Sequence, residues 1–320
     1  MMDIIITGTS ESGKTSIKKV TFEKNYPYET VFNGKTVEPE KLNVKSMGFC
    51  ELNIIEFPST FSFDKSTEVY NKYLSNCQVL IFLIDTQEQF HPQIEYFEKS
   101  ILPIFEKYNK IPLYIFLHKV DNTNIGQNDY MKQRGEIQSK FKNLLSNHQK
   151  KLNSEEINLT FYLTSIYNST LFEAFSRIFQ DLLPQNKNLS SLIEILSHNC
   201  GFLKAYLFDV FNKVYLAIDD NPIDSDIYKM CSDLIDVVLD MTGIYGDKNG
   251  NEDSYFDDNS GCSIKVNDNN NNKKRILFLK FIHKNLALIA VIEEENYERN
   301  NLLDYNINIF RQGVKAILKV

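Results

Sequence analysis

The stretch that decides the fold is Gly8-Thr9-Ser10-Glu11-Ser12-Gly13-Lys14-Thr15, which follows the apolar run Met2-Asp3-Ile4-Ile5-Ile6-Thr7 and leads through Ser16 into a helix-like segment. It fits G-x-x-x-x-G-K-[ST] at every position and lies between a strand and a helix, the setting in which that pattern works. Successive backbone N–H groups and the positive end of the helix form a nest for anions. A lysine at position 14 reaches β- and γ-phosphates, and a threonine hydroxyl at position 15 suits Mg²⁺. The candidate phosphate-binding residues are therefore Gly8, Ser10, Glu11, Ser12, Gly13, Lys14, Thr15 and Ser16, with Thr15 also a candidate Mg²⁺ ligand. A glycine turn with an unrelated lysine is the plain alternative, and the strand-loop-helix setting weighs against it.

Outward from this loop, residues 1–185 alternate short apolar runs with amphipathic stretches, the signature of β-α units and a mostly parallel sheet. Strands are expected at 2–7, 51–57, 78–85, 112–118 and 159–165, and helices at 13–25, 92–108, 130–151 and 169–183. The last helix places Leu171, Phe172, Phe175, Ile178, Phe179 and Leu182 on one face. After 183–188 the order changes to a helix at 189–200, strands at 204–210 and 214–219, a helix from Asp224 to Gly243, a hairpin at 276–282 and 286–292, and a last helix from about Arg299 to Leu318. The asparagine-rich segment 246–274 lacks apolar content and reads as a disordered loop. Two α/β domains are expected, 1–185 and 186–320. The broad apolar stripes of the second predict that it buries a surface against another chain, packing onto its own sheet being the alternative.

The base that follows the phosphates is read from His118-Lys119-Val120-Asp121, just behind a strand. A carboxylate held there accepts both N1–H and N2–H₂ of guanine, whereas adenine offers no such pair and would leave a buried charge unsatisfied. Lys119 would cover the ring with its aliphatic stem, and Thr164-Ser165-Ile166 closes the next strand. The candidate guanine-binding residues are His118, Lys119, Asp121, Ser165 and Ile166, with GTP or GDP and Mg²⁺ as the implied ligands. A rival scheme takes Asp85, at the end of the run 79–85, as the magnesium-binding aspartate of a P-loop ATPase. That scheme leaves 118–121 idle, so Asp85 is read as an ordinary strand-end residue.

Composition narrows the partners. A formal net charge of −7 with dispersed basic residues argues against nucleic acid. Apolar runs such as 79–84 fall short of the roughly 20 residues of a spanning helix, so direct membrane insertion is not expected and a cytoplasmic chain is. Five cysteines without C-x-x-C spacing point to reduced thiols, and the five histidines show no metal-ligand spacing.

The phosphate loop with its continuation SGKTSIKKV, together with HKVD, FYLTSIY, FEAFS, KAYLFDV, YLAIDDNPID and DLIDVVLDMTGIYG, resembles the Rag GTPases on their RagC/RagD side, over nearly the whole chain except the asparagine-rich segment. The resemblance implies a Ras-like G domain followed by a roadblock (longin-like) domain. It also implies pairing with a RagA/RagB-like subunit, docking on lysosomal or vacuolar membranes through a scaffold complex, and amino-acid signalling to the TORC1 kinase. In that family Thr36 lies at the switch I threonine that meets Mg²⁺ and the γ-phosphate, with Thr30 the alternative.

The family's third motif, aspartate, two residues, glycine, glutamine, reads here Glu56-Phe57-Pro58-Ser59-Thr60. Glu56 carries an extra methylene. Ser59 would cost about 1 kcal/mol if its φ is positive, and Thr60 is too short to orient water as the glutamine does. The expectation is a switch II built on Glu56 and Ser59, no confident catalytic residue, and weak or lost GTP hydrolysis. A scaffold subunit that binds no nucleotide is the alternative.

Overall fold

Hydrophobic residues of both parities along a strand require cover on both of its faces, and that is the pattern at the centre of the N-terminal sheet. Ile4, Ile5 and Ile6 are each fully buried, as are Leu80 to Ile84. The computed structural model describes residues 2–32, 34–44, 49–63, 68–121, 127–152, 158–222, 225–245, 256–258, 260–267, 274–298 and 300–318. The chain divides into two compact units, residues 1–45 with 50–174, and residues 46–49 with 175–320.

In the first unit the chain runs β1 (Met2–Gly8), α1 (Lys14–Phe22), a 3₁₀ turn (Pro27–Phe32), β2 (Glu40–Val44), β3 (Leu52–Glu56), α2 (Glu68–Asn76), β4 (Cys77–Asp85), α3 (Phe90–Tyr96), α4 (Ile104–Lys107), β5 (Leu113–His118), α5 (Gln127–Leu152) and β6 (Leu159–Thr164), with α6 (Thr170–Leu182) beginning at its end. The strand order is β2-β3-β1-β4-β5-β6, parallel except for β2. This is the mostly parallel sheet of a Ras-like G domain. Loops leave β1 and β4 in opposite directions, so a crevice opens at the carboxyl ends of the central strands, where ligands of such sheets bind.

The second unit carries α7 (Asn186–Cys200), β7 (Phe202–Asp209), β8 (Val214–Ile218), α8 (Ser225–Tyr245), β9 (Gly261–Asn267), β10 (Lys274–His283), β11 (Leu286–Glu293), α9 (Glu294–Tyr297) and α10 (Asn300–Leu318). Its five-stranded sheet, ordered β8-β7-β11-β10-β9, is antiparallel throughout. A ring cluster of Tyr206, Phe208, Tyr215 and Tyr228 fills its core, with centroids 5.4 to 6.3 Å apart.

Several expectations need correction. Residues 261–267, read as part of a disordered loop, form β9 on the edge of the second sheet. Pairing with the strongly apolar β10 supplies the order that the segment's own composition lacks. The remainder of 246–274 lies largely outside the described residues. The helix expected over 92–108 is broken into α3, a π turn over Phe97–Ile101 and α4, with Pro103 at the break, because proline has no N–H to donate. The division between units falls at 174/175, inside α6, not at 185/186. The backbone N–H of Tyr215 donates to Ser176 Oγ at 3.0 Å and the Arg177 guanidinium lies over the Tyr215 ring, which ties the end of α6 into the second unit.

The first unit's core is crowded with rings: Phe141 packs at 4.7 Å from Phe97, 6.0 Å from Phe161 and 6.3 Å from Phe82, centroid to centroid. Phe141→Ala is expected to cost about 3–5 kcal/mol through the cavity it leaves. Urea denaturation reads this as a lowered midpoint with unchanged slope.

Candidate functional site

The phosphate loop is shaped by two close approaches that only glycine permits. A Cβ on Gly8 would lie 2.8 Å from the Leu83 carbonyl oxygen. One on Gly13, whose φ is +97°, would lie 2.8 Å from His118 Cδ2. Beyond Gly13 the helix α1 begins at once with Lys14, so its first N–H groups face the loop. A cavity of about 200 Å³ lies here, lined by Ser10, Glu11, Gly13, Lys14, Thr15, Ser16, Thr30, Val31, Gly34, Lys35, Thr36, Glu56 and Ser59. Gly8 and Ser12, expected among the phosphate-binding residues, do not line it. Gly8 sits against β4, and the buried Ser12 hydroxyl donates to Thr9 O at 2.9 Å, bracing the loop from within.

Lys14 turns back on its own loop, its ammonium donating to Gly8 O at 3.0 Å and Thr9 O at 2.6 Å. Burial pulls its pKa down to about 8, against the attraction of Glu56. An anion in the cavity would relieve that desolvation, as a phosphate ligand does.

Glu56, at the end of β3, is the hub of the site. Thr15 Oγ1 donates to its Oε1 at 2.5 Å and Thr36 Oγ1 donates to the same oxygen at 2.8 Å. The two threonine oxygens are 3.4 Å apart. Its other oxygen meets Lys18 Nζ at 2.8 Å, and Lys18 also pairs with Glu40 at 2.5 Å. Burial works against the Lys18 charge, but the two carboxylates outweigh it and raise its pKa above the ordinary lysine value. Three oxygens of hydroxyl and carboxylate type are the hard donors that Mg²⁺ takes, so the residues present fit that ion. Of the two switch I candidates, Thr36 reaches this cluster. Thr30 donates to Pro27 O at 2.8 Å within its own 3₁₀ turn.

Ser59 lines the cavity and its φ is not positive, so the strain considered for it does not arise. Thr60 is exposed and outside the cavity lining.

The residues expected to bind the base gather at the ends of β5 and β6. Ser165 Oγ donates to Asp121 Oδ1 at 2.6 Å and accepts from Tyr167 N at 3.1 Å, which fixes the direction of the Asp121 carboxylate. Ile166 is half-buried beside them. Lys119 Nζ donates to Asp85 Oδ2 at 2.5 Å and to Glu11 O at 2.8 Å, joining this cluster to β4 and the phosphate loop. Asp85 is thus more than a strand end: it anchors Lys119, and it lies outside the cavity lining. His118 lies buried beneath Gly13, its Nδ1 3.0 Å from Thr164 Oγ1.

The sequence matches the family described as Gtr1/RagA G protein conserved region over residues 3–235. The chain belongs to this family of G proteins. Within it, the similarity runs to the RagC/Gtr2 type. The chain is 34% identical to mouse Ras-related GTP-binding protein D, covering 99% of this chain and 68% of that protein. It is 34% identical to human Ras-related GTP-binding protein C, over 99% of this chain and 77% of that one. It is 32% identical to the Schizosaccharomyces pombe GTP-binding protein gtr2, over 98% and 97%.

Sequence reasoning missed two residues around Glu56, Lys18 and Glu40, and the anchoring role of Asp85. Each has an ordinary position on a helix or strand, and only the fold brings it to its partner. A lysine inside the amphipathic helix α1 reads as solvated, so no local signal marks Lys18.

His118 supplies a pH test. Burial, then the neighbouring Lys119 charge, lowers its pKa from 6.5 to about 4. The unfolded chain therefore takes up this proton first as pH falls. The stability that neutral His118 contributes is complete above pH 6.5 and is lost progressively toward pH 4. Between pH 7.5 and pH 5 this site should remove about 2 kcal/mol, and His118→Asn should lack that component. Urea denaturation of both proteins at the two pH values measures the difference.

Proposed function

We propose that the protein is a guanine-nucleotide-binding regulatory subunit whose GTP hydrolysis is weak or lost. The observation that carries the first part is the convergence of Lys14, Thr15 and Thr36 on one cavity, with Asp121 held by Ser165 at a second cluster tied to it through Lys119. Gly8, Ser10, Glu11, Ser12, Gly13 and Ser16 shape or line the phosphate end. Lys119, Asp121, Ser165 and Ile166 hold the base, His118, expected among them, supports the loop from beneath Gly13, and Thr15 and Thr36 hold Mg²⁺. Bound Mg²⁺ would supply neutralisation of phosphate charge. What supports weak hydrolysis is Thr60, exposed and outside the cavity lining, where catalysis needs a group that orients water.

The relatives are named GTP-binding proteins of the Gtr and Rag type, and this supports a wider reading: pairing with a RagA/RagB-like subunit in a roadblock-type manner, recruitment to a lysosomal or vacuolar scaffold, and amino-acid signalling to TORC1. No helix among the described residues is long and apolar enough to cross a membrane, which fits recruitment through partners. The second unit leaves Val237, Met241 and Ile244 exposed along α8, and Leu302, Tyr305 and Ile309 exposed along α10. Those stripes fit a partner surface. A scaffold subunit that binds no nucleotide is favoured by one observation: with Lys14 on its own loop and Glu56 on Thr15, Thr36 and Lys18, the charged groups satisfy one another.

Nucleotide released on denaturing the freshly purified complex, identified by chromatography, tests binding. GDP or GTP is the expected result and an empty site would favour the scaffold reading. Single-turnover assay is expected to leave GTP largely uncleaved over times in which Ras-type intrinsic hydrolysis finishes. Asp121→Asn replaces one of the two acceptor oxygens for guanine N1–H and N2–H₂ with an NH₂ donor, and should weaken GDP binding by at least about 100-fold while admitting xanthosine diphosphate. Equal GDP affinity of the two proteins would refute the guanine assignment. For pairing, Met241→Glu with Ile309→Glu in the full chain should abolish copurification with a RagA/RagB-like subunit.

A further inference from the structure

The Glu56 carboxylate stands where its chemistry has a direct use. Three oxygens from three separate elements, Thr15 Oγ1 on α1, Thr36 Oγ1 in the segment before β2 and Glu56 Oε1 on β3, form a triangle with edges of 2.5, 2.8 and 3.4 Å. An octahedral ion with ligands at 2.0–2.1 Å requires neighbouring ligand oxygens about 2.9 Å apart, and these edges bracket that spacing. We infer that Glu56 binds the divalent cation directly through Oε1, as one corner of a three-oxygen face with Thr15 and Thr36. Glu56 is one methylene longer than the aspartate of the G-protein pattern, and that length carries Oε1 to within hydrogen-bond distance of both threonine hydroxyls. This rests on the nucleotide-binding reading above and specifies the metal end of that same site.

Two further features fit the assignment. The second oxygen of Glu56 is taken by Lys18 at 2.8 Å, so one oxygen alone is presented to the cavity. Lys18 is itself 3% exposed and held by Glu40 from the other side, so the carboxylate cannot swing without breaking a buried ion pair. Lys18 is a positioning residue for Glu56. Glu56 also links Thr36 to Thr15, whose hydroxyl oxygens lie 3.4 Å apart.

Mn²⁺ replaces Mg²⁺ and can be counted by its ligands. The full chain, with its partner subunit where needed for solubility, is loaded with GDP and Mn²⁺, and bound water is counted from the broadening of the Mn²⁺ resonance in ¹⁷O-enriched water. Glu56→Asp, which shortens the reach by one methylene, is expected to show one more bound water than the unaltered protein and at least tenfold weaker Mn²⁺ binding. Equal water counts would overturn direct ligation while leaving nucleotide binding intact. Should Glu56→Asp not fold, unaltered protein carrying ¹³C at its glutamate carboxyls decides the matter. A strong Mn²⁺–¹³C coupling supports direct binding, and its absence overturns it. Failure to retain GDP at all, seen in the loading step, overturns the nucleotide-binding reading and this inference together.

Discussion

A carboxylate with 1% of its surface exposed must be met by cations and hydrogen-bond donors to offset the cost of taking it out of water. Glu56 is met from three directions. Lys18 comes from within α1, Thr15 from the first turn of the same helix, and Thr36 from the segment leading into β2. Because two partners sit on α1 and the third in the segment before β2, satisfying one buried charge also fixes the start of α1, that segment and the end of β3 relative to one another. Glu40 on β2 extends the same network to the sheet's outer strand.

The second constraint is steric. His118 fills the space beneath Gly13, and the glycine's missing side chain is what allows the ring to lie there uncharged and buried. Lys119, the next residue, crosses to Glu11 and Asp85. Its left-handed backbone, with φ at 64°, and that of Glu11, with φ at 62°, are held by this contact between the loops. The Gly8–Thr15 loop and the end of β5 are thus joined by one side chain, and Lys119 balances the charge of the buried Asp85.

Much of this was legible in residue order. The loop from Gly8 to Thr15 marks itself, because phosphate binding requires glycine, lysine and hydroxyl at set spacing. The continuous apolar runs of β1, β4 and β5 mark buried parallel strands. The strands β2 and β9 were not legible. Residues 40–44 are mostly exposed and alternate weakly, and residues 261–267 carry only the short alternation Cys262, Ile264, Val266 beside the asparagine-rich segment, on an edge strand whose hydrogen bonds all come from β10.

The sequence by itself determined the fold class and the glycine-lysine-threonine loop between β1 and α1, since these depend on local spacing and on hydrophobic periodicity that each segment carries within itself. Tertiary structure alone decided which threonine meets Glu56, that Lys18 and Glu40 pair around it, and that Asp85 holds Lys119. The physical reason is that each of these is a charge or hydroxyl whose partner lies roughly 20 or more residues away, or on another element. Whether such a group is solvated or paired is fixed only when the folded sheet removes water from around it.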